Sequence, residues 1–140
     1  MSKGERSMSI HCFRLHRGDD LRRSLEEYAR THAIDAAVVL SAVGCLSRAV
    51  IRDASGVTVH TLDEPLEIVS LMGTLSKERL HLHISLSRED LSTLGGHLKD
   101  GCIVNTTCEV VLQEVPGVAF GRVWDEQTGY EELDIRPLTP

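Results

Sequence analysis

The segment Arg79-Leu80-His81-Leu82-His83-Ile84-Ser85-Leu86-Ser87 holds the side chains best suited to chemistry. Apolar and polar residues alternate along it. A strand with one buried face would therefore carry Leu80, Leu82, Ile84 and Leu86 on one side and His81, His83, Ser85 and Ser87 on the other. Imidazoles at i and i+2 stand about 6.5 Å apart along the backbone, which side-chain rotation can close onto one ion with bonds of about 2.0 Å. A third imidazole, His97, follows Gly95-Gly96, and the polar run from Arg88 to Thr93 can turn the chain back so that His97 enters from a neighbouring segment. Three neutral imidazoles leave a coordination position open, as in a reactive rather than a structural zinc site. Histidines decorating a solvated strand face would give the same pattern, and periodicity alone does not choose between the two.

Two further residues are candidates for a catalytic or binding role. Glu67 alternates with Ile68 and so shares a face with Val69 and Leu71, where a carboxylate is unexpected. Beside a metal it would act as a general base or orient a ligand histidine; as a wet strand-end residue after Pro65 it would do neither. Arg14 shares a face with Cys12 and His16, and would either grip an anionic ligand or pair with Glu67 or Glu109. No glycine belongs to a G-x-G-x-x-G or Walker pattern, and Ser47, Ser70 and Ser85 lack the elbow motif of a nucleophile.

The elements that must position these residues follow from the same periodicity. Ser9 to His16 reads as a half-buried strand. Asp19 or Asp20 then caps a helix ending near His32, with Leu21, Leu25, Tyr28 and Ala29 as its apolar stripe. Strands are predicted over Ala36–Val43, ended by Gly44, and over Ser47–Asp53, Val57–Leu62, Leu66–Leu75 (interrupted by Gly73), Arg79–Ser87, Ile103–Glu114, Phe120–Asp125 and Tyr130–Ile135. One early helix followed by many strands is an α+β domain with a mostly antiparallel sheet.

The chain has 140 residues, enough for a single core. The domain is expected over residues 9–136, with a loose leader at 1–8 and a tail at 137–140. Hydrophobic residues make up 41% and charged residues 26%, an ordinary globular balance. No apolar run approaches a membrane span and the start lacks a signal-peptide h-region, so a cytoplasmic address is expected, with no membrane partner. Cys12, Cys45, Cys102 and Cys108 form no C-x-x-C pair and read as reduced core thiols. A net charge of −6 lacks the cations that displace counterions from phosphates, so DNA binding is predicted to be weak.

Together, Arg14-Leu15-His16-Arg17-Gly18-Asp19-Asp20-Leu21, Ser41-Ala42-Val43-Gly44, Glu67-Ile68-Val69-Ser70-Leu71-Met72-Gly73-Thr74, His81-Leu82-His83 and Leu94-Gly95-Gly96-His97-Leu98 resemble the PPC (DUF296) domain of plants and prokaryotes. The resemblance runs from about Ile10 to near Leu133. It implies a helix-flanked, largely antiparallel sheet assembled as a homotrimer, with His81, His83 and His97 as the site of a divalent metal, zinc or a similar ion. Plant members commonly depart from that triad and join the domain to AT-hooks; this chain keeps the three histidines and has no Arg-Gly-Arg-Pro. The function expected is a trimeric metal-binding domain that binds or acts on a small molecule. The alternative is a protein-interaction or DNA-associated module without catalysis.

Overall fold

The computed structural model describes residues 9–139; the expected leader at 1–8 lies outside the described residues. Strand β1 (Ile10–His16) leads into helix α1 (Leu21–Thr31), whose N-cap Asp20 accepts a hydrogen bond from the Arg23 amide at 3.1 Å. The helix buries Leu21, Leu25 and Ala29 at the expected i, i+4, i+8 spacing. Asp20 also accepts from the Gly101 amide at 2.8 Å, which ties the start of the helix to a distant loop.

The remaining strands are β2 (Ala37–Arg52), β3 (Val59–Leu62), β4 (Leu66–Leu75), β5 (Leu80–Ser87), β6 (Thr93–Leu98), β7 (Ile103–Glu114), β8 (Val118–Asp125) and β9 (Tyr130–Pro137). The main sheet has the order β1-β7-β2-β4-β5-β6, with β3 beside β2, and every pairing is antiparallel. Its far edge returns to its middle. Ile51 and Arg52 of β2 pair with Leu98 and His97 of β6, so β2, β4, β5 and β6 form a closed path. Inside lie Leu46, Leu66, Leu82, Ile84, Leu86 and Leu98, continuous with the helix stripe. Truncating a leucine such as Leu25 to alanine would cost about 2–5 kcal/mol.

Three expectations need correction. The two strands predicted on either side of Gly44 are one strand, β2. Gly44 does not break it; with φ +155° it is where β7 crowds in, and a Cβ there would stand 2.0 Å from the Thr107 carbonyl oxygen. The register jumps at this point from Gly44↔Cys108 to Cys45↔Asn105, leaving Thr106 and Thr107 as a bulge with Thr106 at φ 62°. Gly73 leaves β4 likewise uninterrupted. Cys12 is exposed, whereas Cys102 and Cys108 are buried core thiols; burial pushes the Cys108 thiol up to about 11.

The β8–β9 hairpin forms a separate two-stranded sheet. It is fastened through Phe120, whose amide donates to the Asp35 carbonyl at 2.8 Å and whose carbonyl accepts from the Ser76 hydroxyl at 2.6 Å. No helix among the described residues is long and apolar enough to cross a membrane.

Candidate metal centre

Because Leu82, Ile84 and Leu86 turn into the core, β5 presents His81 and His83 on its outer face, as the alternation predicts. His97 arrives on β6, a strand the sequence pattern did not suggest. There it stands directly opposite His83 on one side and Arg52 on the other. The glycines before it act through the absence of a side chain rather than through flexibility. A Cβ on Gly95 would lie 2.2 Å from the Ile84 carbonyl oxygen, and one on Gly96 would lie 2.5 Å from that of Arg52. Only glycines let β6 fit between β5 and β2.

The three rings sit with centroids 5.2, 5.3 and 5.6 Å apart. Each offers a nitrogen, and these nitrogens all lie within 4.8 Å of one another. Two nitrogens on one tetrahedral zinc are about 3.3 Å apart at bonds of 2.0–2.1 Å, so small χ rotations close the remaining distance. Burial, followed by the nearby Arg52 guanidinium, pushes the His97 imidazole down to about 4. His81, more exposed, is also lowered, first by partial burial and then by His83 and Arg79. Both shifts hold the imidazoles neutral near pH 7, the form that binds metal. Nδ1 of His97 is buried with no hydrogen-bond partner among the described residues, a costly state for a polar atom unless something else engages it. The residues present therefore fit a divalent ion.

The other two sequence candidates lie elsewhere in the chain. Glu67 pairs with Ser87, four residues along β5 from His83, or about 13 Å at strand rise. It is exposed and does not share a face with Leu71: a bulge at Val69 reverses the alternation, so Leu71 is buried while Glu67 points out. Arg14 stands opposite Glu109 in the β1–β7 register, on a strand four places from β5 in the sheet order. Sequence reasoning missed Arg52, Arg79 and Glu132, which line an open cleft of about 350 Å³ together with His81 and His97. Arg79 lies two residues before His81, at the same i, i+2 interval that joined the two histidines, and that spacing was the available signal.

The family's sequence profile, described as the Plants and Prokaryotes Conserved (PCC) domain, matches residues 2–116. The chain belongs to this family. Among curated relatives, this PCC domain is 44% identical over 132 residues to the bifunctional protein GlmU of Synechococcus sp. (strain JA-2-3B'a(2-13)). The match covers 94% of this chain but 21% of that protein, so the PCC domain spans about a fifth of the length of the curated relatives it matches. Among solved structures, a hypothetical protein of Salmonella enterica is 31% identical at a TM-score of 0.90, covering 94% of this chain and 95% of that one. A protein of Archaeoglobus fulgidus described as metal-containing is 35% identical at a TM-score of 0.76, covering 89% and 92%. A Bacteroides thetaiotaomicron protein described as a candidate DNA-binding protein shares the fold at 23% identity and a TM-score of 0.78, covering 91% and 96%.

Proposed function

We propose that this PCC domain binds a divalent ion, zinc or a similar metal, through His81, His83 and His97, and presents it to a small molecule. The observation that carries this reading is the convergence of three imidazoles from two paired strands, with a buried His97 nitrogen that has no other partner among the described residues. The metal-containing description of the Archaeoglobus relative supports it. Such an ion, when bound, acts as a Lewis acid toward an oxygen of its ligand or lowers the pKa of water. The chain's own contribution is to hold three neutral ligands in place and to shape the cleft beside them. That geometry suits catalysis and ligand sensing without turnover alike.

The assembly proposed is a homotrimer. Leu40, Val43, Val69 and Met72 are 52, 52, 58 and 66% exposed on β2 and β4. The register at both ends of the β2–β4 pair brings Leu40 level with Met72 and Val43 level with Val69. A contiguous exposed apolar strip of this kind is what a subunit contact covers. Four free cysteines suit the reducing cytoplasm proposed as its location. The DNA-associated alternative has less behind it: likeness to the Bacteroides protein extends to the fold, and a charge of −6 works against phosphate binding.

Elemental analysis of untagged protein tests the metal reading. One ion per chain is expected, and His83→Ala should weaken binding about a hundredfold or more, since loss of even an indirect support of a ligand costs 10–100-fold. The fold should survive, because His83 is exposed and its neighbours Leu82 and Ile84 supply the core contacts. Metal-free protein that takes up no zinc in a calorimetric titration would overturn the proposal.

A further inference from the structure

The cleft beside the triad has a charge pattern at odds with the acidic chain around it. Four arginines line it: Arg22, Arg52, Arg79 and Arg122. Two are already neutralised. Arg22 is held by Glu26 at 3.2 Å and Asp100 at 3.1 Å, and Arg122 faces Glu131 at 3.6 Å. Arg52 and Arg79 form no ion pair among the described residues. Arg79 is only 8% exposed, and its Nη1 is buried with no hydrogen-bond partner; Nε of Arg52 is in the same condition. Burying a guanidinium this far without a counterion is unfavourable. Arginine donors arranged as a fork match the oxygens of a carboxylate or phosphate.

We infer that Arg52 and Arg79 bind the oxyanion of a small anionic molecule, preferentially a phosphate monoester, in the cleft beside His81 and His97. The inference rests on the metal reading for the position of that ligand next to the open coordination site. Charge balance selects the dianion. Two guanidiniums share the cleft with one carboxylate that forms no ion pair among the described residues, Glu132, which accepts a hydrogen bond from the Thr128 hydroxyl at 3.1 Å. Three neutral imidazoles cancel none of the charge of a divalent ion, so a monoanion would leave the site more positive than a phosphate ester would. Glu132, which also lines the cleft, disfavours a second anionic group on the same molecule. A cleft of about 350 Å³ lies at the small end of the range for small-molecule sites.

Calorimetric titration with phenyl phosphate, benzoate and phenol, which share a ring and differ in charge, tests the inference on untagged protein with and without one equivalent of zinc. Phenyl phosphate should bind more tightly than benzoate, and phenol should give no detectable heat. Arg79→Met and Arg52→Gln should each weaken phenyl phosphate by about tenfold or more, as expected for loss of a charged hydrogen bond, while zinc stoichiometry stays at that of the unsubstituted protein. If Arg79→Met fails to fold, Arg52→Gln decides. Equal binding of phenol and phenyl phosphate, or unchanged phenyl phosphate affinity in a folded, zinc-loaded Arg52→Gln protein, overturns the inference and leaves the metal site intact. Arginine-dependent binding by protein that takes up no zinc upholds the anion site and removes the metal reading.

Discussion

His83 and His97 are direct cross-strand neighbours in the β5–β6 pair, so the candidate metal centre is a property of strand register. A slip of one residue would turn His97 to the other face and bring a glycine or a leucine into its place. The close approaches at Gly95 and Gly96 work against that slip, since a residue with a side chain cannot occupy either position without moving β5 or β2.

Acid should loosen the apoprotein through His97. Its native pKa, about 4, lies below the unperturbed value of about 6.5, so between those limits the unfolded chain binds more protons than the native one. The stabilising contribution is complete above about pH 6.5 and is lost progressively as pH falls towards 4. Urea midpoints of chelator-treated protein at pH 7.5, 5.5 and 4.5 should decline, and a His97→Leu variant should decline less. Parallel declines would assign the effect to other groups.

That same variant should separate binding from stability. Removing a buried nitrogen that lacks a partner while keeping an apolar side chain should stabilise the metal-free protein by on the order of 1 kcal/mol. A rise of a few degrees in Tm is expected for a domain of this size, together with loss of metal uptake. A lower Tm in the absence of metal would mean that the imidazole contributes packing that leucine cannot replace.

Gly73 sits opposite Leu82 with φ +148°, and a Cβ there would stand 2.0 Å from the carbonyl oxygen of His81. Gly73→Ala should therefore push on the backbone that carries the first histidine. We expect destabilisation of at least about 2 kcal/mol in denaturant titration and reduced metal uptake by whatever remains folded. A variant with unchanged stability and one bound ion would show that β5 tolerates the shift.

Met72 stands beside His83 across the β4–β5 pair and is exposed. If the strip it belongs to joins subunits, Met72→Asp should reduce the mass measured by light scattering from three chains to one at micromolar concentration. Unsubstituted protein that scatters as a monomer would remove the trimer.

The alternation of Leu80 to Ser87 was enough to assign β5, its buried face and the shared direction of His81 and His83, because one-sided burial imposes a period of two. Nothing comparable marks β6. Thr93-Leu94-Gly95-Gly96-His97-Leu98 reads as a flexible connection until the carbonyls of Ile84 and Arg52 are known to press on it. Glu67 was assigned to the wrong face because the bulge at Val69 arises from pairing with β5 and leaves no trace in local pattern. Arg79 was passed over for a related reason: an arginine before a strand usually lies in water, and its burial depends in part on a cleft completed by residues about fifty positions later.

The β8–β9 hairpin leaves the domain and returns to it at nearly one point, where the Leu138 amide donates to the Gly117 carbonyl at 3.0 Å. It supplies Arg122, Tyr130, Glu131 and Glu132 to the cleft but none of the three histidines. A segment joined in this way can be exchanged for another without rerouting the chain. Grafting a different hairpin between residues 117 and 138 would thus re-specify what the cleft accepts while the ligand-bearing strands keep their register.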